Sequence, residues 1–115
     1  MHFLPNEAYH IYNRGNDQQT IFFQDKNYIF FLNKIRNEWK KYCDILAYCL
    51  MPNHFHFLII PNKEACNHVF LDEKLTQIQF FSKAIGKTLS SYTKAINNQN
   101  QTTGNLFKRK QSLNV

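Results

Sequence analysis

At 115 residues the chain is long enough for one domain, expected over 1–115, that buries a core without disulfide staples, and 43% hydrophobic with 16% aromatic content argues against a disordered tail. Cys43, Cys49 and Cys66 are an odd set with no Cys-x-x-Cys pair, which rules against a disulfide framework or a four-sulfur zinc site. With no apolar run near the roughly 18 residues of a membrane span and no signal-like start, the composition predicts a reduced, cytoplasmic protein without a membrane partner.

The net charge of +6 is unevenly spread: residues 1–73 carry a balance of −1, whereas 74–115 carry +7 with no acidic residue at all. One-sided positive charge suits a polyanion, most often nucleic acid, although a solvated basic helix gives the same count.

In chain order, Ala8 to Arg14 alternates and carries Tyr9 and Ile11, and the turn-forming Asn13-Arg14-Gly15-Asn16 closes it, which predicts a first strand. Gly15 is expected at positive φ if this cluster is a simple turn. From Asp25, read as an N-cap, Ile29, Leu32, Ile35, Trp39 and Tyr42 recur at helical spacing, giving a first helix that ends near Cys43. Asp44 to Met51 and His54 to Ile60 read as two strands joined tightly at Pro52-Asn53.

Asn62 to Lys74 is polar and mixed, and is expected to be a loop with at most a helical turn. Ile78, Phe81, Ile85, Leu89, Tyr92 and Ile96 then form the apolar seam of a second helix ending near Asn97, with Lys83, Lys87, Ser90 and Lys94 on the opposite face. Asn97 to Gly104 is a turn, and Asn105 to Lys110 is expected to add a short fourth strand ending in Lys108-Arg109-Lys110. The order is thus β-α-β-β-α-(β), the ferredoxin-like α+β pattern: an antiparallel sheet with both helices on one face and the other face free.

The chemistry concentrates in Leu50-Met51-Pro52-Asn53-His54-Phe55-His56-Phe57. Two histidines two apart on a strand send both imidazoles to one face, while Phe55, Phe57 and Ile59 turn toward the helices. Two imidazoles leave room on a divalent ion for a third ligand, water and a phosphate oxygen. His10 shares that face if Tyr9 and Ile11 point inward, as a third ligand, as a partner orienting one imidazole, or as a hydrogen-bonded histidine with no metal role. His2 and His68 read as surface residues.

Two motifs, Tyr9-His10-Ile11-Tyr12-Asn13-Arg14-Gly15 and Ala47 to Leu58 around His54-Phe55-His56, resemble the HUH single-tyrosine transposases, in particular the branch related to REP-associated tyrosine transposases. The segments Ser91-Tyr92-Thr93 and Gly104-Asn105-Leu106-Phe107 are similar to that family's second helix and the strand after it, so the resemblance covers nearly the whole chain. It implies a metal-dependent nuclease and strand transferase on single-stranded or hairpin DNA, acting through a phosphotyrosine, with His54 and His56 holding Mg²⁺ or Mn²⁺. Arg14, Lys83, Lys87, Lys94, Lys108, Arg109 and Lys110 are the candidate DNA-backbone contacts, either engaged or idle.

The family's nucleophilic tyrosine lies on a helix expected beyond Val115, so the chain reads as an incomplete transposase or as a catalytically dead DNA-binding remnant. Tyr92 is the substitute within the chain, but its place on the apolar seam reads as core; Tyr9, Tyr12 and Tyr48 are base-stacking platforms if they share the open face. Loss of the expected helix would expose parts of Leu106 and Phe107 and favour a homodimer.

Overall fold

The computed structural model describes residues 2–70, 77–109 and 112–114, with Phe70 and 112–114 as backbone only. Strand β1 (Tyr9–Arg14) leads through a single 3₁₀ turn (Asn16–Gln18) to helix α1 (Asp25–Trp39). Strands β2 (Cys43–Met51) and β3 (His54–Pro61) follow, then a one-turn helix α2 (Lys63–Cys66), strands β4 (His68–Phe70) and β5 (Gln77–Gln79), helix α3 (Phe80–Asn100) and strand β6 (Ser112–Asn114). The main sheet has the order β2-β3-β1-β6 with every described pairing antiparallel, which is the ferredoxin-like arrangement expected from the sequence.

Both long helices pack on one face because strand alternation sends the apolar side chains there. Tyr9, Ile11, Phe55, Phe57 and Ile59 of the strands are buried, and they meet Phe31, Ile35 and Trp39 of α1 and Phe81, Ile85, Leu89, Tyr92 and Ile96 of α3. Phe31 stands at the centre, with ring centroids 5.2 Å from Phe22, 5.3 Å from Phe55 and 4.9 Å from Tyr92. Each such ring contributes roughly 1.5–3 kcal/mol by leaving water. The Trp39 indole donates to the Thr88 hydroxyl at 3.1 Å, so the largest buried side chain also has its polar atom satisfied.

Several boundaries differ from expectation, each for a local reason. Gln24, not Asp25, caps α1, and the Asn27 carboxamide oxygen accepts from the Gln24 and Phe23 backbone N–H groups at 2.9 and 3.0 Å. Ile29 is 62% exposed, because the buried stripe of α1 runs through Asn27, Phe31, Ile35 and Trp39. Ile78 belongs to β5, and α3 begins only at Phe80.

In the expected 62–74 loop, α2 is the single helical turn foreseen there, whereas β4 was not foreseen: it pairs with β5 as a second, two-stranded sheet, and residues 71–76 lie outside the described residues. Buried Gln79 anchors the start of the chain there: its carboxamide accepts from Phe3 N–H at 2.7 Å and donates to the Phe3 carbonyl at 2.8 Å.

The expected fourth strand at Asn105–Lys110 reduces, among the described residues, to one bridge between Phe107 and Gly15, and the strand that completes the sheet is β6. Leu106 and Phe107, expected to be partly exposed, are 4% and 7% exposed and belong to the core. Gly15 has φ of −60°, not a positive value, so its reason is steric. A Cβ there would lie 1.9 Å from the Gln19 carbonyl oxygen, and the positive-φ residues of this turn are Asp17 and Gln18.

Candidate functional site

The open face of the sheet is set by the register of its strands. Across β1 and β3, His10 stands opposite Leu58, Tyr12 opposite His56 and Arg14 opposite His54; across β2 and β3, Cys49 stands opposite His56 and Met51 opposite His54. Directly opposed residues of an antiparallel pair share a face, so three imidazoles, one phenol and one guanidinium lie on the side away from α1 and α3. His10, Tyr12, Arg14, His54 and His56 are all half-buried, held within the sheet rather than waving in solvent.

The rings are close. The Tyr12 centroid is 4.8 Å from that of His56 and 6.1 Å from that of His54, and the His54 and His56 rings stand 5.2 Å apart at right angles. With nitrogen–metal bonds of about 2.1 Å, two rings sharing an ion must have centroids within roughly 6.5 Å, a limit this pair satisfies. His54 Nδ1 donates to the Asn53 carboxamide oxygen at 2.8 Å, which leaves Nε2 with its lone pair. His56 is held below the usual imidazole range, first by burial and then by the charges of His10 and His54, so it stays in the neutral form that binds cations. Among the described residues there is no cluster of three or more His, Cys, Asp or Glu side chains arranged to hold a metal, so these two imidazoles would need water or a phosphate oxygen to complete an ion's shell.

The basic residues singled out in the sequence do not gather in one place. Arg14 and Lys108 line a notch of about 400 Å³ at the His54 end of the face, with Gly15, Asn16, Asp17 and Gln18. Lys108 is brought there from 94 residues along the chain by its backbone N–H, which donates to the Arg14 carbonyl at 2.8 Å, and by the Asn13 carboxamide, which donates to the Lys108 carbonyl at 3.2 Å. Lys83, Lys87 and Lys94 instead border grooves shared with Glu38 of α1, on the helical side of the molecule, so the structure does not bring them together with the histidines. Arg109 is exposed beside Ser90 and Thr93 of α3, and Lys110 lies outside the described residues.

The tyrosines sort in the same way. Tyr92 is fully buried, donates its hydroxyl to the Ile21 carbonyl at 2.6 Å and has its phenol pushed up by burial and then by Tyr28, so it is a core residue. Tyr9 is buried beneath the sheet and Tyr48 packs beside Phe57 on the helical side, at 5.9 Å between centroids; Tyr12 alone of these four lies on the histidine face.

Sequence reasoning missed Asn13 and Asn53. Asn13 occupies an inward strand position, 1% exposed, where its carboxamide also accepts from Arg14 N–H at 2.7 Å; an Asn at a core-facing register position was the signal. Asn53 looked like turn chemistry only, yet it orients His54. A cavity of about 590 Å³ lies between α1 and β2 around Leu32, Ile35 and Tyr48, away from this face. No helix among the described residues is long and apolar enough to cross a membrane.

No family profile and no curated protein matches the chain by sequence. Solved structures share its fold, among them the REP-associated tyrosine transposase bound to a REP hairpin, at 12% identity and a TM-score of 0.66, and a proposed transposase from Deinococcus radiodurans R1, at 18% identity and a TM-score of 0.67. The likeness covers 99% of this chain and 58% of the first protein, and 98% of this chain and 81% of the second. The chain therefore spans just over half the length of the first, and at these identities what is shared is the fold.

Proposed function

We propose that this chain is a binding domain for single-stranded or hairpin DNA. On this reading His54 and His56 hold a divalent ion, Mg²⁺ or Mn²⁺, against a backbone phosphate, Tyr12 offers its ring to a base, and Arg14 and Lys108 take neighbouring phosphates. The observation that carries it is the open strand face itself, where imidazoles, an aromatic ring and two cations converge in a fold that, in the REP-associated transposase, was solved with a hairpin bound. An uncovered sheet with aromatic and cationic side chains suits an unpaired strand, whose bases stack without sequence preference.

Binding is favoured over strand transfer by the placement of Tyr92. A phosphotyrosine mechanism needs a phenol within reach of the metal-bound phosphate, and the helix-borne Tyr92 is tied to Ile21 on the other side of the sheet. Tyr12, which does share the histidine face, sits on a strand and is the phenol to be tested for an adduct on a denaturing gel.

The test is fluorescence anisotropy of a labelled hairpin with a single-stranded extension, titrated over a range of salt with Mn²⁺ and with chelator, followed by a denaturing gel. The reading predicts Mn²⁺-assisted binding whose log–log salt slope is about −1.4 for the two phosphate contacts of Arg14 and Lys108, and no covalent product. Absent or salt-insensitive binding would refute it, and an adduct lost in Tyr12→Phe would restore the strand-transfer reading.

A further inference from the structure

His10 and His56 approach each other with His10 Nε2 and His56 Nδ1 2.6 Å apart, their ring planes 4° from parallel and their centroids 4.8 Å apart. The centroid separation exceeds the N···N distance by about two ring radii, so the rings meet edge to edge in one plane. This is an in-plane hydrogen bond with one proton between two ring nitrogens, not a face-to-face stack.

The consequence for ligation is specific. His10 Nε2 and His56 Nδ1 are occupied by each other, so His56 can reach an ion only through Nε2. That atom has a free lone pair only if the shared proton sits on His56 Nδ1 and is donated to His10 Nε2. His54 has the same arrangement, with its Nδ1–H donated to Asn53 Oδ1 at 2.8 Å. The two imidazoles are therefore pinned alike, each by a neighbour on its Nδ1 side, and among the described residues neither Nε2 has a hydrogen-bond partner.

Resting on the metal reading above, we infer that His10 is a positioning residue and not a third ligand: it accepts the His56 Nδ1 proton and thereby fixes the tautomer and ring angle that let His56 Nε2 meet a divalent ion. An acceptor behind a ligating histidine commonly changes metal affinity by about 10–100-fold, usually as a carboxylate or carbonyl. Here an imidazole takes that place, brought from β1 by the strand register. The pairing is short and half-buried, and among the described residues no carboxylate competes for His56 Nδ1.

Two measurements on the intact chain decide it. Long-range ¹H–¹⁵N correlation spectra of the metal-free wild type at neutral pH report the protonation of each ring nitrogen; the proposal predicts a protonated Nδ1 and a bare Nε2 on His56. A His56 protonated on Nε2 overturns it, whatever the metal does. Mn²⁺ titration is then compared among wild type, His10→Ala and His10→Gln, with circular dichroism confirming the fold.

His10→Ala should weaken Mn²⁺ binding by about 10–100-fold and shift His56 toward the Nε2-protonated form, and His10→Gln, whose carboxamide oxygen can accept the same proton, should recover most of both. Equal Mn²⁺ affinity in His10→Ala, or loss that His10→Gln does not restore while the tautomer is restored, overturns the positioning role, the second result marking His10 as a direct ligand. Failure of the wild type to bind Mn²⁺ refutes the metal reading and leaves the tautomer measurement to decide the pairing.

Discussion

Replacing Tyr92 with Phe separates a structural tyrosine from a chemical one. The hydroxyl donates to the Ile21 carbonyl at 2.6 Å between two residues that are each 0% exposed, so its removal leaves a buried acceptor without that partner. The cost of such an orphaned group is about 1–3 kcal/mol. For a chain of this size that corresponds to a fall in Tm of about 4–12 °C.

Ile21 also reaches the His54 end of the sheet. Its N–H donates to the Pro52 carbonyl at 2.8 Å, Phe22 N–H donates to the same carbonyl at 3.1 Å, and Gly15 N–H donates to the Asn53 carbonyl at 2.9 Å. Tyr92 thus braces the turn that carries Asn53 and His54 without touching the open face. Urea unfolding followed by circular dichroism, paired with hairpin binding well below the new Tm, should show lower stability and nearly unchanged affinity. Unchanged stability with lost DNA binding or lost DNA chemistry would refute the core assignment.

Further outcomes follow from other parts of the structure. Arg14→Glu combined with Lys108→Glu should weaken hairpin binding at least tenfold and flatten its salt dependence, whereas reversing Lys83, Lys87 and Lys94 together should change affinity severalfold less; anisotropy at two salt concentrations distinguishes the sites. Thr88→Val strips the acceptor from the Trp39 indole N–H and should destabilise by about 1–3 kcal/mol, read by urea unfolding. Gly15→Ala must displace the Gln19 carbonyl and should destabilise by about 1–3 kcal/mol, read by its Tm. Burial pushes the Cys43 thiol up from 9.0 to about 12, so alkylation at mild pH should label exposed Cys49 long before Cys43. Because the unfolded chain loses the Cys43 proton near pH 9 while the folded one keeps it to about 12, this thiol's contribution makes stability fall as pH rises through that window.

The architecture was legible wherever periodicity was strong. Alternation around His54-Phe55-His56-Phe57 gave both the strand and the inward phenylalanines, and the Phe81–Ile85–Leu89–Tyr92–Ile96 seam gave the second long helix with its buried tyrosine. Ile29 misled because an apolar residue at helical spacing need not lie on the stripe that tertiary packing selects. The β4–β5 pair was hidden because strands of three residues carry too little pattern to read. The fourth strand was misplaced because Leu106 and Phe107 are apolar for the core and not for the sheet.

At the site, the shared face of His10, His54 and His56 followed from period-2 alternation. The His10–His56 bond did not, since it depends on the register between two strands more than forty residues apart in sequence. The placement of Lys108 beside Arg14 depended likewise on a long-range backbone bond; composition could count the residue as charge but not locate it.

Backbone amide chemical-shift mapping during titration with a hairpin bearing a single-stranded extension decides whether nucleic acid lies on the open histidine face. Binding on that face concentrates the shifts at His10, Tyr12, Arg14, His54, His56 and Lys108 and leaves the groove between α1 and α3 around Glu38 and Lys87 nearly silent. Shifts concentrated in that groove, with the histidine strands unmoved, would contradict it.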